Sequence, residues 1–280
     1  MKIGIVGHGP VGSAVARLLA LNQDNQVVIY DKFLPPHNHS SRKGAVNGCD
    51  LAFVCVPTPP AADGSCDLSA VEESVEWIRV PVCIRSTVPP GTVDRLAAGR
   101  DRLIAFSPEY LGETPGHPWR NDADCGFVIV GGPAGATELV AAAYRKVTCP
   151  DVQFYFTDAR TAELCKYMEN CFLATKVAFV NQFFDIAQNL GVDFEALRAL
   201  WLADTRIGPS HTRVTSERGF RGRCLPKDIS ALVAAMRPFG GAPLLEQVMA
   251  YNREVCARAD LSRGETAVPA RLQGDPLCQR

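Results

Sequence analysis

Two short runs carry the residues best suited to chemistry. The first is Gly219-Phe220-Arg221-Gly222-Arg223-Cys224-Leu225-Pro226-Lys227-Asp228, a glycine-punctuated turn with one cysteine between Arg223 and Lys227 and an aspartate close behind. The thiolate is the reactive form of cysteine, and neighbouring cations favour it. The second is Gly7-His8-Gly9-Pro10-Val11-Gly12, near the start of the chain, with the glycine spacing of a dinucleotide-binding turn. A nucleophilic thiol together with a nicotinamide cofactor oxidises an alcohol through a covalent thiohemiacetal, past the aldehyde to the acid. A small buried structural cysteine in a loop is the competing reading of Cys224.

The elements around the glycine turn agree with a cofactor site. Residues 2–7 read as a buried parallel strand, 13–21 as a helix, and 26–30 as a second strand ending in Asp31. Gly7 permits the tight turn, Gly9 lets the backbone approach a pyrophosphate, and Gly12 lets helix and strand pack closely. Pro10 and Val11 complete the turn at a helix N-terminus, whose N–H groups and dipole suit phosphate. Asp31 is placed to accept from ribose hydroxyls and to repel a 2′-phosphate, which favours NAD over NADP, with Lys32 and Arg42 close by as opposing charges.

Further strands are expected at 50–56, 80–85, near 103–106 and at 125–130, with an edge strand at 152–156. In open α/β sheets ligands bind beyond the carboxyl ends of the strands. Pro57, Thr58, Ser86 and Thr87 follow two of those ends, so both threonines are expected to face the nicotinamide. Glu109, Tyr110, Leu111 and Glu113 follow a third. His37 and His39 lie in a Pro- and Ser-rich loop with no further ligands around them, so they read as solvated and no metal is expected.

From Asp158 the pattern changes to helical. Thr157-Asp158 reads as an N-cap. Leu164, Met168, Cys171, Phe172, Thr175 and Phe179 recur at helical spacing in a run that stops at Gly191. A helix this long, apolar on more than one side, is expected to be well buried and to join two domains or two subunits. Lys166 and Asn170 share one face of it, where buried polar groups need partners. Further helices are expected at 193–202, 226–236 and 243–257, with Arg206-Ile207-Gly208 in a loop between. The fold class is therefore α/β: a Rossmann-type doubly wound sheet over residues 1–157, an all-helical domain over 158–258, and a flexible tail over 259–280.

The 280 residues are 47% hydrophobic and 21% charged with a net charge of −1, enough for a substantial core and without the basic stripe of a nucleic-acid surface. No apolar run approaches the length of a membrane span, and residues 1–6 read as a strand, not a signal peptide. Eleven dispersed cysteines with no paired metal spacing suit reduced thiols and a cytoplasmic location.

Taken in order, Gly7 to Gly12, Val56 to Pro59, Ser86 to Thr92, Ser107 to Glu113, Ala162 to Asn170, Arg206 to Gly208 and Gly219 to Asp228 resemble the UDP-glucose/GDP-mannose dehydrogenase family over about residues 1–257. The resemblance implies NAD as cofactor and oxidation of a primary alcohol to a carboxylate in two hydride transfers. It implies that Cys224 is the nucleophile and that Lys166 and Asn170 stabilise an oxyanion. Thr87 and Asp228 would hold a water for proton transfer, and Glu109 would assist thioester hydrolysis. Glu113 and Lys227 would lie near cofactor and active site. Arg206 would reach the partner's substrate site in a homodimer formed through the long helix. The candidate substrate set is Glu109, Tyr110, Leu111, Lys166, Asn170, Arg206 and Gly219, to which Arg221 and Arg223 are added as this chain's own departures from the family pattern.

Family members continue into a third domain that would begin where this chain ends, and Arg221 stands where the family has a glycine. Both features raise the expectation of a smaller anionic alcohol, gripped by Arg221 and Arg223, in place of a sugar nucleotide. Two alternatives stand beside this: a two-electron 3-hydroxyacid-type dehydrogenase that needs no cysteine, and a non-catalytic NAD-binding member.

Overall fold

Short, almost wholly apolar segments build the sheet: β1 (Lys2–Val6), β2 (Gln26–Tyr30), β3 (Leu51–Val54), β4 (Val82–Ile84), β5 (Ile104–Phe106), β6 (Phe127–Gly131) and β7 (Gln153–Thr157). In the computed structural model, which describes residues 1–112 and 125–264, they lie in the order β2-β1-β3-β4-β5-β6-β7. All pairs are parallel except β5 with β6. The inner strands β1, β3, β4 and β5 are buried on both faces and need no polar alternation, which is why they read as continuous apolar runs, whereas the edge strands β2 and β7 are partly exposed. Successive residues divide between the two faces. Leu51 and Phe53 of β3 join a core with helices α1 (Pro10–Leu19) and α5 (Ala134–Arg145). Ala52 and Val54 join the opposite core, with α2 (Ser41–Val46), α3 (Ser69–Trp77), α4 (Thr92–Ala97) and the first turns of α6 (Ala159–Leu190). Each such fully buried aliphatic side chain contributes about 1.5–3 kcal/mol relative to exposure.

The chain forms two compact units. The first is Met1–Pro59 with Cys66–Lys166; the second is Pro60–Ser65 with the described residues from Tyr167 onward. The second unit holds most of α6, together with α7 (Phe194–Trp201), α8 (Cys224–Met236) and α9 (Pro243–Ser262). Asp193 caps α7 by accepting from the N–H groups of Glu195 and Ala196. Pro60–Ser65 belongs there because Ser230 Oγ donates to Gly64 O at 3.0 Å and Arg237 Nη2 to Asp63 O at 2.8 Å. The unit boundary therefore falls inside α6, after Lys166, and not at 157.

The sheet and the long helix match the expected fold class, while several boundaries move. Helix α1 starts at Pro10 and not Ser13, since proline suits the first helical position, where its missing N–H costs nothing. Helix α8 starts at Cys224 and not Pro226, again with the proline in the first turn. Helix α9 continues to Ser262, so residues 259–262, assigned to a tail, are helical; residues 265–280 lie outside the described part. Helix α6 is not buried all round. Glu163, Tyr167, Asn170, Cys171 and Asn181 are buried, while Met168, Phe172, Phe179 and Leu190 are 73%, 62%, 47% and 73% exposed. Among the described residues no helix is long and apolar enough to cross a membrane.

Candidate active site

The glycine turn in the first unit has no room to spare. Gly7 has φ +88, and a Cβ on it would meet Cys55 O at 2.8 Å; a Cβ on Gly12 would stand 1.9 Å from Gly7 O. Gly9 differs, because nothing lies within 4 Å of where its Cβ would be. Helix α1 opens beside that space with no side-chain cap on its N-terminus. Open space over bare backbone at a helix N-terminus fits a pyrophosphate, and the residues present therefore fit NAD.

Asp31 sits at the carboxyl end of β2. Its Oδ2 accepts from His8 N at 2.7 Å, and its Oδ1 accepts from Phe33 N at 2.9 Å and Leu34 N at 3.0 Å. Burial pushes this carboxyl up, but the three N–H donors outweigh it and hold Asp31 below the usual carboxylate range. The charged acceptor is thus tied to the glycine turn itself. Lys32 turns instead to Glu73, in an exposed pair at 2.8 Å. His39 is exposed as expected. His37 is half-buried with its ring against His8 at 5.3 Å, so it is not the solvated side chain its loop suggested.

Pro57 is exposed beside the buried Thr58. The two loops after β3 and β4 are bonded to each other: Thr58 Oγ1 donates to Thr87 O at 3.0 Å and Ser86 Oγ to Val56 O at 2.6 Å. Arg85, 1% exposed, donates to Ser107 Oγ and Pro108 O, which fixes the stretch leading to Glu109. Glu109 Oε2 accepts from Leu111 N at 2.9 Å. Tyr110 is buried edge-to-face on Phe127, and its ring lies 4.6 Å from the ammonium of Lys166, which is itself 5% exposed. Glu113 lies outside the described residues.

Glu163, one turn before Lys166 on α6, went unnoticed in the sequence. It is fully buried and accepts from Gly91 N at 2.5 Å and Val93 N at 2.8 Å, capping α4 and anchoring the loop that carries Thr87. Burial raises its carboxyl to about 7, the two N–H groups pulling against that. A glutamate in a helix reads as solvated from sequence, and only its partners some seventy residues earlier reveal its role.

In the second unit, half-buried Cys224 is the first residue of α8, whose N-cap residue is Arg223. Asp228 lies one turn further on, 1% exposed. Its Oδ2 accepts from Asn170 Nδ2 at 2.6 Å, and its Oδ1 pairs with Lys227. The structure thus joins Asn170 of α6 to Asp228 and Lys227 of α8, the helix headed by Cys224, in one hydrogen-bonded set. Cys171, by contrast, is buried, and desolvation together with the Asp228 charge pushes its thiol up to about 12. Arg206 is 87% exposed and folds onto Asp204 at 2.6 Å. Its loop is held by Lys176, a residue the sequence did not single out, whose Nζ donates to Ile207 O and Gly208 O at 2.9 and 2.8 Å.

Arg221 departs from expectation. Its guanidinium turns to α9, pairing with Asp260 at 2.7 Å and donating to Cys256 O and Glu217 O. With its donors directed there, Arg221 does not stand open as an anion receptor beside the cysteine; Arg223 is exposed at the head of α8.

Residues 37–148 match the UDP-glucose/GDP-mannose dehydrogenase family, NAD binding domain, and residues 160–254 match the central domain of the same family. A UDP-glucose 6-dehydrogenase of Rickettsia bellii is 31% identical over 218 residues, which are 73% of this chain and 49% of that protein. A UDP-glucose dehydrogenase structure from Pyrobaculum islandicum superposes with a TM-score of 0.78 at 28% identity, covering 90% of this chain and 68% of that one. A Mycobacterium tuberculosis 3-hydroxyisobutyrate dehydrogenase shares the fold, with a TM-score of 0.65 at 17% identity, over 92% of this chain and 95% of that one. The chain spans about half the length of the curated relatives it matches.

Proposed function

Since the chain belongs to the UDP-glucose/GDP-mannose dehydrogenase family, we propose that it oxidises the primary alcohol of a sugar nucleotide to a carboxylate, with Cys224 as the nucleophile. The observation that carries the reading is Cys224 at the head of α8, with the buried Asp228 one turn on and bonded to Asn170. A first two-electron oxidation, with loss of a hydride and a proton, takes the alcohol to the aldehyde; the Cys224 thiol then adds to the aldehyde carbon and forms a thiohemiacetal. Oxidation of that adduct gives a thioester, and water cleaves it to the acid. NAD would supply the hydride acceptor, one molecule for each of the two oxidations. It would be held by the glycine turn, Asp31 and the loops of Thr58, Ser86 and Thr87.

Asp228 takes up the proton released from the alcohol, through water, and Thr87 serves the same transfer. Lys166 and Asn170 donate to the oxygen that becomes negative on addition; removing one such donor costs about 3–4 kcal/mol in well-studied cases. Glu109 serves the hydrolytic step. The exposed Met168, Phe172, Phe179 and Leu190 of α6 are covered by a second copy of the chain, bringing Arg206 to that copy's substrate. A smaller anionic alcohol is the alternative substrate class, drawn to the cationic residues around the head of α8.

The test incubates the protein with NAD and UDP-glucose, UDP-N-acetylmannosamine, GDP-mannose or small phosphorylated alcohols, counting NADH per substrate beside Cys224→Ser. Two equivalents, lost in the variant, support the proposal. One equivalent indifferent to Cys224 favours the 3-hydroxyacid-type reaction, whose fold the chain shares. NAD binding without turnover on any alcohol favours the non-catalytic reading. Sedimentation with and without Met168→Glu tests the dimer.

A further inference from the structure

We infer that Asn181 and Asn252 are positioning residues for the Cys224 nucleophile: two carboxamides, from α6 and α9, fix the loop that delivers the cysteine to the head of α8. The inference rests on the proposed role of Cys224.

The chain approaches Cys224 through two consecutive residues with left-handed backbone, Arg218 (φ 55) and Gly219 (φ 60). A non-glycine residue in that region persists only where its surroundings over-determine it, and such residues gather at functional sites. Asn181, 1% exposed, provides one constraint. Its Oδ1 accepts from Arg218 Nε at 2.8 Å and Gly219 N at 3.1 Å, while its Nδ2 donates to Val177 O at 2.9 Å. That last bond fixes which end of the amide faces the loop.

Asn252 provides the other constraint, 9% exposed on α9. Its Oδ1 accepts from Phe220 N at 2.7 Å and its Nδ2 donates to Phe220 O at 2.9 Å, so one side chain satisfies both main-chain groups of a single residue. The loop closes on this clamp without slack: a Cβ on Gly219 would meet Asn252 Oδ1 at 2.5 Å and Cys256 Sγ at 2.8 Å. Arg218 is braced further by Asp185 at 2.5 Å and by the Phe184 ring at 4.5 Å. None of these bonds reaches Cys224. They act on it through the short stretch of chain that separates it from Phe220.

A purely stabilising role and a positioning role predict different outcomes for the thiol. The experiment alkylates the full chain with iodoacetamide and follows each cysteine by peptide mass spectrometry, with the exposed Cys149 as internal reference. The rate ratio of Cys224 to Cys149 is compared across pH in wild type, Asn181→Ala, Asn252→Ala and Gly219→Ala. Melting curves confirm that each is folded at the assay temperature. Displacements of about an ångström cost about a hundredfold in reacting systems. A fall of at least about tenfold in the ratio, with the pH midpoint of Cys224 moved upward and NAD affinity within about twofold of wild type, supports the inference. A ratio and midpoint unchanged in folded Asn252→Ala and Gly219→Ala overturn it. Should Asn252→Ala not fold, Gly219→Ala decides, because it strikes the same contact from the loop side. A wild-type Cys224 no faster than Cys149 overturns the nucleophile reading itself, a failure seen before any variant is made.

Discussion

The cofactor turn and the loop of the proposed nucleophile both lead into the N-terminus of a helix, and the fold shapes them by opposite means. At α1 the fold removes side chains: Gly9 faces open space, Gly7 and Gly12 allow the backbone to close on itself, and the helix carries no side-chain cap. Before α8 the fold adds them: Asn181, Asn252, Asp185 and Asp260 all bond to residues 218–221. A site whose ligand is a large, rigid anion is well served by exposed backbone. A loop that aims one sulfur atom, as proposed for Cys224, needs side chains to hold the backbone still.

The sharpest way to break this contrast is Cys224→Ser. Loss of a covalent nucleophile costs roughly four or more orders of magnitude in turnover, so acid formation should vanish from an NADH-coupled assay while NAD binding persists. Gly12→Ala should do the reverse. Its Cβ would overlap Gly7 O, so saturable NAD binding by fluorescence titration is lost while Cys224 alkylation continues. Equal damage to both readouts by either variant would mean the two helix ends are not separate devices.

Glu163 sharpens the comparison as a side-chain clamp inside the cofactor unit. Its carboxyl is raised from 4.5 to about 7 in the fold, so the folded chain binds this proton more tightly than the unfolded chain. That contribution is fully present below about 4.5 and is lost as pH rises to about 7. A shift of that size corresponds to roughly 3 kcal/mol. Glu163→Gln should flatten the fall in denaturant-measured stability across that window, and an unchanged slope would remove Glu163 as its source. The smallest effect is expected from Lys176→Met. Hydrogen bonds to a charged group contribute about 1.5–3 kcal/mol, here partly offset by the desolvation that holds this ammonium below its usual range. The Arg206 loop should gain amide hydrogen exchange with little change in global stability.

The same contrast explains what the sequence made legible. The glycine turn, β2 ending at Asp31, the stop of α6 before Gly191 and the Asp193 cap rest on local rules, and each stands as expected within a few residues. Cys224, Asn170 and Asp228 were singled out by their order along the chain, and the structure bonds Asn170 to Asp228. The clamps were not. Asn252 meets Phe220 across 32 residues and Glu163 meets Gly91 across 72, and no local pattern marks a polar residue as the partner of a distant backbone group. Arg221 shows the same limit: two arginines just ahead of a cysteine look like an anion site, and only the structure shows that Asp260, 39 residues on, pairs with one of them.

Pro60–Ser65 leaves the first unit's stretch of chain, bonds to Ser230 and Arg237 of the second unit, and returns. The two units are therefore interleaved in the gene. No single cut yields either one whole: a fragment beginning at residue 158 or 167 would present α8 without the hexapeptide that Ser230 and Arg237 bind. Anyone dissecting this protein by expression of its halves, or recombining it with a relative by one crossover, would need to carry those six residues across with the helix that Cys224 heads.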